Sequence, residues 1–131
     1  MKWLSIARDT RGQALIELAL CLTLLLTIML GIVEFGRIGH AYLVTTHASR
    51  EGARVGALRY SDDEIYLAVD RALLSLGNIS IQVTVTPSDS VRKRGDALEV
   101  TVNARLPLIT PLAGVLPNPF SIVGRTVMRV E

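Results

Sequence analysis

Gly12-Gln13-Ala14-Leu15-Ile16-Glu17-Leu18-Ala19-Leu20-Cys21-Leu22-Thr23-Leu24-Leu25-Leu26-Thr27-Ile28-Met29-Leu30-Gly31-Ile32-Val33 is the stretch that decides how this chain is organised. From Ala14 to Val33 it runs for twenty residues with Glu17 as the only charge. At about 1.5 Å per residue, a helix of that length measures about 30 Å, the thickness of a bilayer's hydrocarbon core. The stretch therefore predicts a transmembrane helix over residues 13–33. A carboxylate in its first turn and a half is foreign to a plain anchor, because a charge within the bilayer costs a few kcal/mol. Either Glu17 reaches the headgroups from the end of the helix, or it meets a cation supplied by another molecule.

Working outward, the segment before Gly12 is basic. Lys2, Arg8 and Arg11 are three of the chain's 14 basic residues, and Asp9 is one of its 12 acidic ones, so the remainder is balanced at eleven of each. Positive charge beside a first membrane segment stays in the cytoplasm, which places the C-terminal body on the far side. A cleaved secretory signal would have a shorter apolar core followed by a small-x-small site, and Leu30-Gly31-Ile32 makes a poor one. The neutral body, with few aromatic residues, offers no basic face for nucleic acid. Cys21 is the only cysteine, so no internal disulfide forms, and Leu20 before it does not suit a lipoprotein signal.

No strong breaker follows Val33 until Ser61, so the helix is expected to continue to about Arg59, making residues 34–60 its extension beyond the membrane. Gly36 and Gly39 weaken it by about 1 kcal/mol each and permit a bend. Glu34 and Arg37, three apart, read as an exposed pair near the headgroups contributing roughly 0.2–0.5 kcal/mol. Ala41, Thr45, Ala48, Gly52 and Gly56 make a stripe of small residues that lets another backbone approach closely. The preferred partner is the chain's own sheet, since a small body needs that surface to complete its core. Arg50, Glu51 and Arg54 read as a solvated face. His40 and His47 lie two turns apart, too far to share a metal, and no metal or other cofactor is expected.

The remainder, residues 61–131, reads as one small α+β body. Ser61 with Glu64 three residues on is a capping box, and Asp62, Asp63 and Glu64 suit the positive end of a second helix. Its apolar face carries Ile65, Val69, Ala72, Leu73 and Leu76, and Gly77-Asn78 ends it. Ile79 to Thr86 and Leu98 to Arg105 alternate apolar and polar residues and predict an antiparallel hairpin, with Arg92-Lys93-Arg94 as a solvated loop tip or, in the alternative, a contact for an anionic headgroup or partner. Leu106 to Phe120 carries four prolines, at 107, 111, 117 and 119, yet is apolar. It either folds over the sheet edge or meets another subunit. Ser121 to Val130 predicts a third strand.

There is no nucleophile elbow, no phosphate-cradling glycine loop and no Cys and His cluster, so an enzyme is not expected.

A basic leader, a glycine, four mostly apolar residues, a glutamate and a long apolar helix resemble the type IV prepilin class. The likeness narrows at Arg11-Gly12-Gln13-Ala14-Leu15-Ile16-Glu17-Leu18-Ala19-Leu20, Gly31-Ile32-Val33-Glu34-Phe35-Gly36-Arg37 and Ala48-Ser49-Arg50-Glu51-Gly52-Ala53-Arg54, which are similar to the TadE-like family of minor pilins or pseudopilins of the tight-adherence, type IV-like pilus. The resemblance extends over nearly the whole chain, including the closing Arg125-Thr126-Val127-Met128-Arg129-Val130-Glu131; it is strong from Gly12 to Arg54 and loose between Tyr60 and Pro117. Leu18 departs from related pilins, which often carry an aromatic there.

The resemblance implies that residues 1–12 are a prepilin-type leader removed between Gly12 and Gln13 by a prepilin peptidase. Glu17, fifth in the mature chain, would then pair with the terminal amine of a neighbouring subunit during assembly. It implies other pilin and pseudopilin subunits, the inner-membrane pilus assembly platform and the lipid bilayer as partners. It also implies a single pass through the bacterial cytoplasmic membrane, with incorporation into a priming or tip complex of the pilus. The alternative is an uncleaved signal-anchored outer domain, serving as a sensor or an envelope-complex component.

Overall fold

The computed structural model describes residues 10–77 and 79–131, so residues 1–9 of the leader, with Lys2 and Arg8, and Asn78 lie outside the described residues. One helix, α1 (Thr10–Ala57, 48 residues), dominates. After it come α2 (Asp62–Leu73), a single 3-10 turn at Leu74–Leu76, β1 (Ser80–Thr86), β2 (Ala97–Leu106), a second 3-10 turn at Pro111–Gly114 and β3 (Phe120–Arg129). The class is α+β, as the alternation and capping patterns imply.

α1 runs through Gly36 and Gly39 without interruption. It ends at Ala57, two residues before Arg59, because the chain tightens there. Leu58 N–H donates to the Val55 carbonyl and Arg59 N–H to that of Gly56, while Arg59 turns to a φ of 65°. The otherwise unpaired Ala57 carbonyl accepts from Glu131 N–H at 2.9 Å, so the last residue of the chain caps the first helix. α2 opens with the capping box: Ser61 Oγ accepts from Glu64 N–H, and Ser61 N–H donates to Glu64 Oε2 at 3.0 Å. Its apolar face buries Ile65, Val69 and Leu73; α2 passes at Leu74 into the 3-10 turn, which Gly77 ends at a φ of 67°.

The three strands form an antiparallel meander in the order β1-β2-β3. Val102 of the central strand pairs with Val83 on one side and Gly124 on the other. Side chains alternate across the sheet, so Leu98, Val100, Val102, Ala104 and Leu106 all point to the covered face and are buried. α1 lies over β2 and β3 with α2 beside it. Ile65, Val69 and Leu73 share one core with Ala48, Leu98, Val100 and Val102, and a smaller cluster of Ala41, Leu106 and Ile122 continues it along α1. The opposite sheet face is open to solvent and carries the Glu99–Arg125 ion pair (2.6 Å) between β2 and β3.

Small residues set the distance between helix and sheet. A Cβ on Gly124 would stand 2.5 Å from the Thr45 carbonyl oxygen, and one on Gly52 would meet Val69 at 2.6 Å. Ser49 Oγ joins the two layers by a 2.8 Å hydrogen bond with Thr126 Oγ1. The Thr45 hydroxyl is buried with no hydrogen-bond partner among the described residues.

Two expectations need correction. Arg92 is not part of a solvated tip. Its side chain is 4% exposed and forms an ion pair with Asp62, while its guanidinium also donates to the carbonyls of Tyr60 and Pro87. A charge held in that way ties the β1–β2 connection to the start of α2, and only Lys93 and Arg94 stay exposed. Glu34 likewise is buried, not part of an exposed pair.

Gly124→Ala pushes a methyl group against backbone that has no room to yield and should lower stability by about 1–3 kcal/mol. Thr45→Val keeps the shape and removes an unsatisfied buried hydroxyl, whose burial costs about 1–3 kcal/mol, so it should match or exceed the parent. Thermal unfolding of the detergent-solubilised chain measures both. A stable G124A protein would contradict the close approach.

Candidate functional site

The features that carry chemistry lie along α1, and the two halves of that helix differ. In the N-terminal half the most apolar eighteen-residue window has a mean hydropathy of 2.5, and none of it is buried. Leu15, Ile16, Leu18, Leu20, Leu24 and Ile32 are each more than half exposed. Apolar surface of that extent is unstable in water, and a soluble core helix of this composition would be covered by its own chain. α1 is therefore one helix long and apolar enough to cross a membrane. Thr23 and Thr27 return their hydroxyls to the carbonyls of Ala19 and Thr23, at 2.9 and 2.8 Å, which leaves no free donor on that surface from either side chain.

Glu17 is exposed on this half, and among the described residues it has no hydrogen-bond or ion-pair partner. Gly12 and Gln13 stand at the start of the helix, so the peptide bond between them is already helical. Cys21 is a free, exposed thiol. His40 and His47 are exposed as well, and among the described residues no group of three or more His, Cys, Asp or Glu is placed to hold a metal ion.

In the C-terminal half the helix turns one face inward. Ala41, Thr45, Ala48, Gly52 and Gly56 are all buried, against β2, β3 and α2. Ser49 and Ala53 are buried beside them. The sequence reading missed these two, although both are small and adjoin members of the stripe. Arg50 remains exposed. Glu51 accepts from Arg54 at 2.5 Å, and this hydrogen bond holds its carboxyl below the ordinary carboxylate range. That contribution is present above the ordinary range and is lost as pH falls through the lowered value. Water screens both side chains, so it stays small.

Between the halves lies the residue that sequence reasoning misjudged. Glu34 follows the last residue of the apolar run, and it is fully buried instead of lying in an exposed pair. Its Oε1 accepts from Arg37 at 2.8 Å. Its Oε2 accepts from the backbone N–H groups of Ile109 and Thr110, at 3.3 and 3.2 Å. Arg37 also reaches the Pro107 carbonyl at 3.4 Å. The proline-rich segment thus comes back to the helix and covers the carboxylate. Its own turn is held by Asn118, whose Oδ1 accepts from Leu108 N–H at 3.1 Å. Leu108 and Thr110 are buried there, while Ile109 points out. A carboxylate and a proline-rich segment more than seventy residues apart carry no local signal that they meet.

Glu34→Ala leaves two backbone donors and the Arg37 guanidinium without an acceptor. It should cost roughly 2–3 kcal/mol, the scale for buried hydrogen bonds to a charged group. Hydrogen exchange locates the effect: amide protection at Ile109 and Thr110 should fall well before that of β2. Unchanged protection at these two amides would remove the carboxylate from its anchoring role.

Residues 12–54 match the model of the TadE-like protein family, over the segment that runs from the start of the apolar run to Arg54, two residues short of Gly56 at the end of the small-residue stripe. No curated protein and no solved structure matches the chain. The match falls on α1, where the likeness in the sequence is strong, and from Gly12 to Arg54 the chain is similar to that family; the closing Arg125 to Glu131 lies outside the matched residues.

Proposed function

We propose that this chain is a minor pilin or pseudopilin of a tight-adherence, type IV-like pilus. In this reading residues 1–12 are a leader, residues 13–33 hold the subunit in the cytoplasmic membrane, residues 34–60 extend the helix outward, and residues 61–131 complete the outer domain. A prepilin peptidase cuts between Gly12 and Gln13. The subunit then leaves the membrane to join other pilin and pseudopilin subunits on the assembly platform, in a priming or tip complex. The role is structural, and the chemistry is done to the chain.

The observation that carries the reading is Glu17. It is a lone carboxylate on the exposed apolar half of α1, within the TadE-like segment, without a partner among the described residues. A carboxylate in the bilayer costs about 2.5–3.5 kcal/mol at the helix centre and less toward its end. The amine of Gln13 in a neighbouring subunit, freed by cleavage, is a cation of the right sign and size to offset that cost. The pairing then rewards assembly over remaining in lipid. Gly12 also suits cleavage, since a glycine eases unwinding of the first turn by about 1 kcal/mol relative to alanine.

A second reading, an uncleaved signal-anchored domain in a sensor or envelope complex, is favoured by one observation. The Gly12–Gln13 bond lies inside α1, and not in an extended segment open to a peptidase.

Membrane-expressed protein, produced with and without a prepilin peptidase, distinguishes the two by intact mass and N-terminal sequencing. Gln13 should be the terminus when the peptidase is present, and persistent Met1 beside a competent peptidase would sink the pilin reading. Glu17→Gln should be cleaved as the parent is, yet enter pili at least about tenfold less, the equivalent of about 1.4 kcal/mol in the assembly equilibrium. Equal incorporation removes the charge-pairing role.

A further inference from the structure

We propose that the proline-rich segment between β2 and β3 is a second membrane contact, in which Ile109 and Val115 seat in the headgroup layer of the bilayer that α1 crosses. The proposal rests on the reading of α1 as a membrane-spanning helix and adds to it a lipid-binding surface on the outer body.

The contacts between β2 and α1 fix the level of this segment. Gly56 lies against Leu98, Gly52 against Val100 and Ala41 with Leu106. Next come Arg37 with the Pro107 carbonyl and Glu34 with the amides of Ile109 and Thr110. As β2 advances, its partners on α1 step back toward the apolar half, and the series ends at Glu34, the residue after Val33. With a helix rise of about 1.5 Å per residue, these amides are pinned within one turn of the edge of the hydrocarbon. Headgroups occupy roughly 5–7 Å on each side of the core. The segment therefore has to lie in that layer.

Its composition suits the place. From Leu106 to Gly124 the chain has no Asp, Glu, Lys, Arg or His. The four prolines, at 107, 111, 117 and 119, have no N–H to desolvate. The donors of Leu108, Ile109, Thr110 and Ala113 find acceptors within the protein, which lowers the cost of bringing this irregular backbone near lipid. Meanwhile Ile109 is 72% exposed and Val115 82% exposed, so both leave an aliphatic side chain outside the protein's own core. The connection at the far end of the sheet has the opposite character, with Asp89, Arg92, Lys93, Arg94 and Asp96. One connection is charged and the other uncharged, and the uncharged one lies beside the membrane span.

A fluorescence experiment on the full chain tests this. Cys21→Ala removes the only cysteine, and Val115→Cys or Val91→Cys then takes a polarity-sensitive dye at an exposed position near or far from the span. The labelled proteins are reconstituted at low density in phosphatidylcholine and phosphatidylglycerol vesicles, with or without lipids carrying a quencher at headgroup level. The parent, labelled at Cys21, is paired with a quencher deep in the acyl chains. The dye at 115 should emit further to the blue than the dye at 91 and lose emission to the headgroup-level quencher, while the dye at 91 stays unquenched.

A dye at 115 that behaves like that at 91, with the Cys21 dye deeply quenched, overturns the second contact and leaves the membrane span intact. A Cys21 dye that the deep quencher does not reach overturns the span, and this proposal with it. A dye at 115 shielded only at high protein density, without lipid quenching, means that a second copy covers the segment, and overturns the proposal as well.

Discussion

A three-stranded sheet can rest on α1 only because the helix has almost no side chains along one face. At the closest point the backbone of Gly124 meets the backbone of Thr45, with no space for a single methyl group between them. Everything else in the body follows from that approach. The alternating residues of β2 reach past the helix surface to Ile65 and Val69, α2 closes the side, and the chain's last amide returns to cap α1 at Ala57. A small body with one sheet and one short helix has little core of its own. Lending it the C-terminal half of a 48-residue helix supplies the missing wall.

The same helix has to be two different objects. Its first half presents apolar side chains in every direction, as a helix in lipid does, and its second half is amphipathic with an inward face of small residues. The change occurs at Glu34. There a charge that ends the apolar run is taken out of solvent by Arg37 and by two amides of a distant segment. Burying a carboxylate is costly unless its acceptor capacity is used, and three donors at 2.8–3.3 Å use it. The proline-rich segment is thereby tied to α1 at the residue that ends its apolar run.

Local patterns in the chain announced much of this. The twenty-residue apolar run, the Ser61–Glu64 capping box and the alternation of Ile81-Val83-Val85 and Leu98-Val100-Val102 each state a local rule, and the structure has a helix, a helix cap and two strands at those places. The candidate site residues have local signals too. Gly12, Gln13 and Glu17 stand out from their neighbours by residue type, and the small residues recur at helical spacing. Glu34 and Arg92 were not legible, because Glu-x-x-Arg on a helix and Arg-Lys-Arg in a loop look the same whether water or another part of the chain covers them. Their burial depends on partners seventy-six and thirty residues away.

By itself, the sequence determined that a bilayer-length apolar helix carries one carboxylate near its start and passes into a small α+β body, since hydrophobic length, periodicity and capping are properties of neighbouring residues. Only the tertiary structure decided which surface of the helix receives the sheet and which charges leave the solvent. It also decided where the proline-rich segment comes to rest, because those outcomes depend on contacts between distant segments that no local pattern encodes.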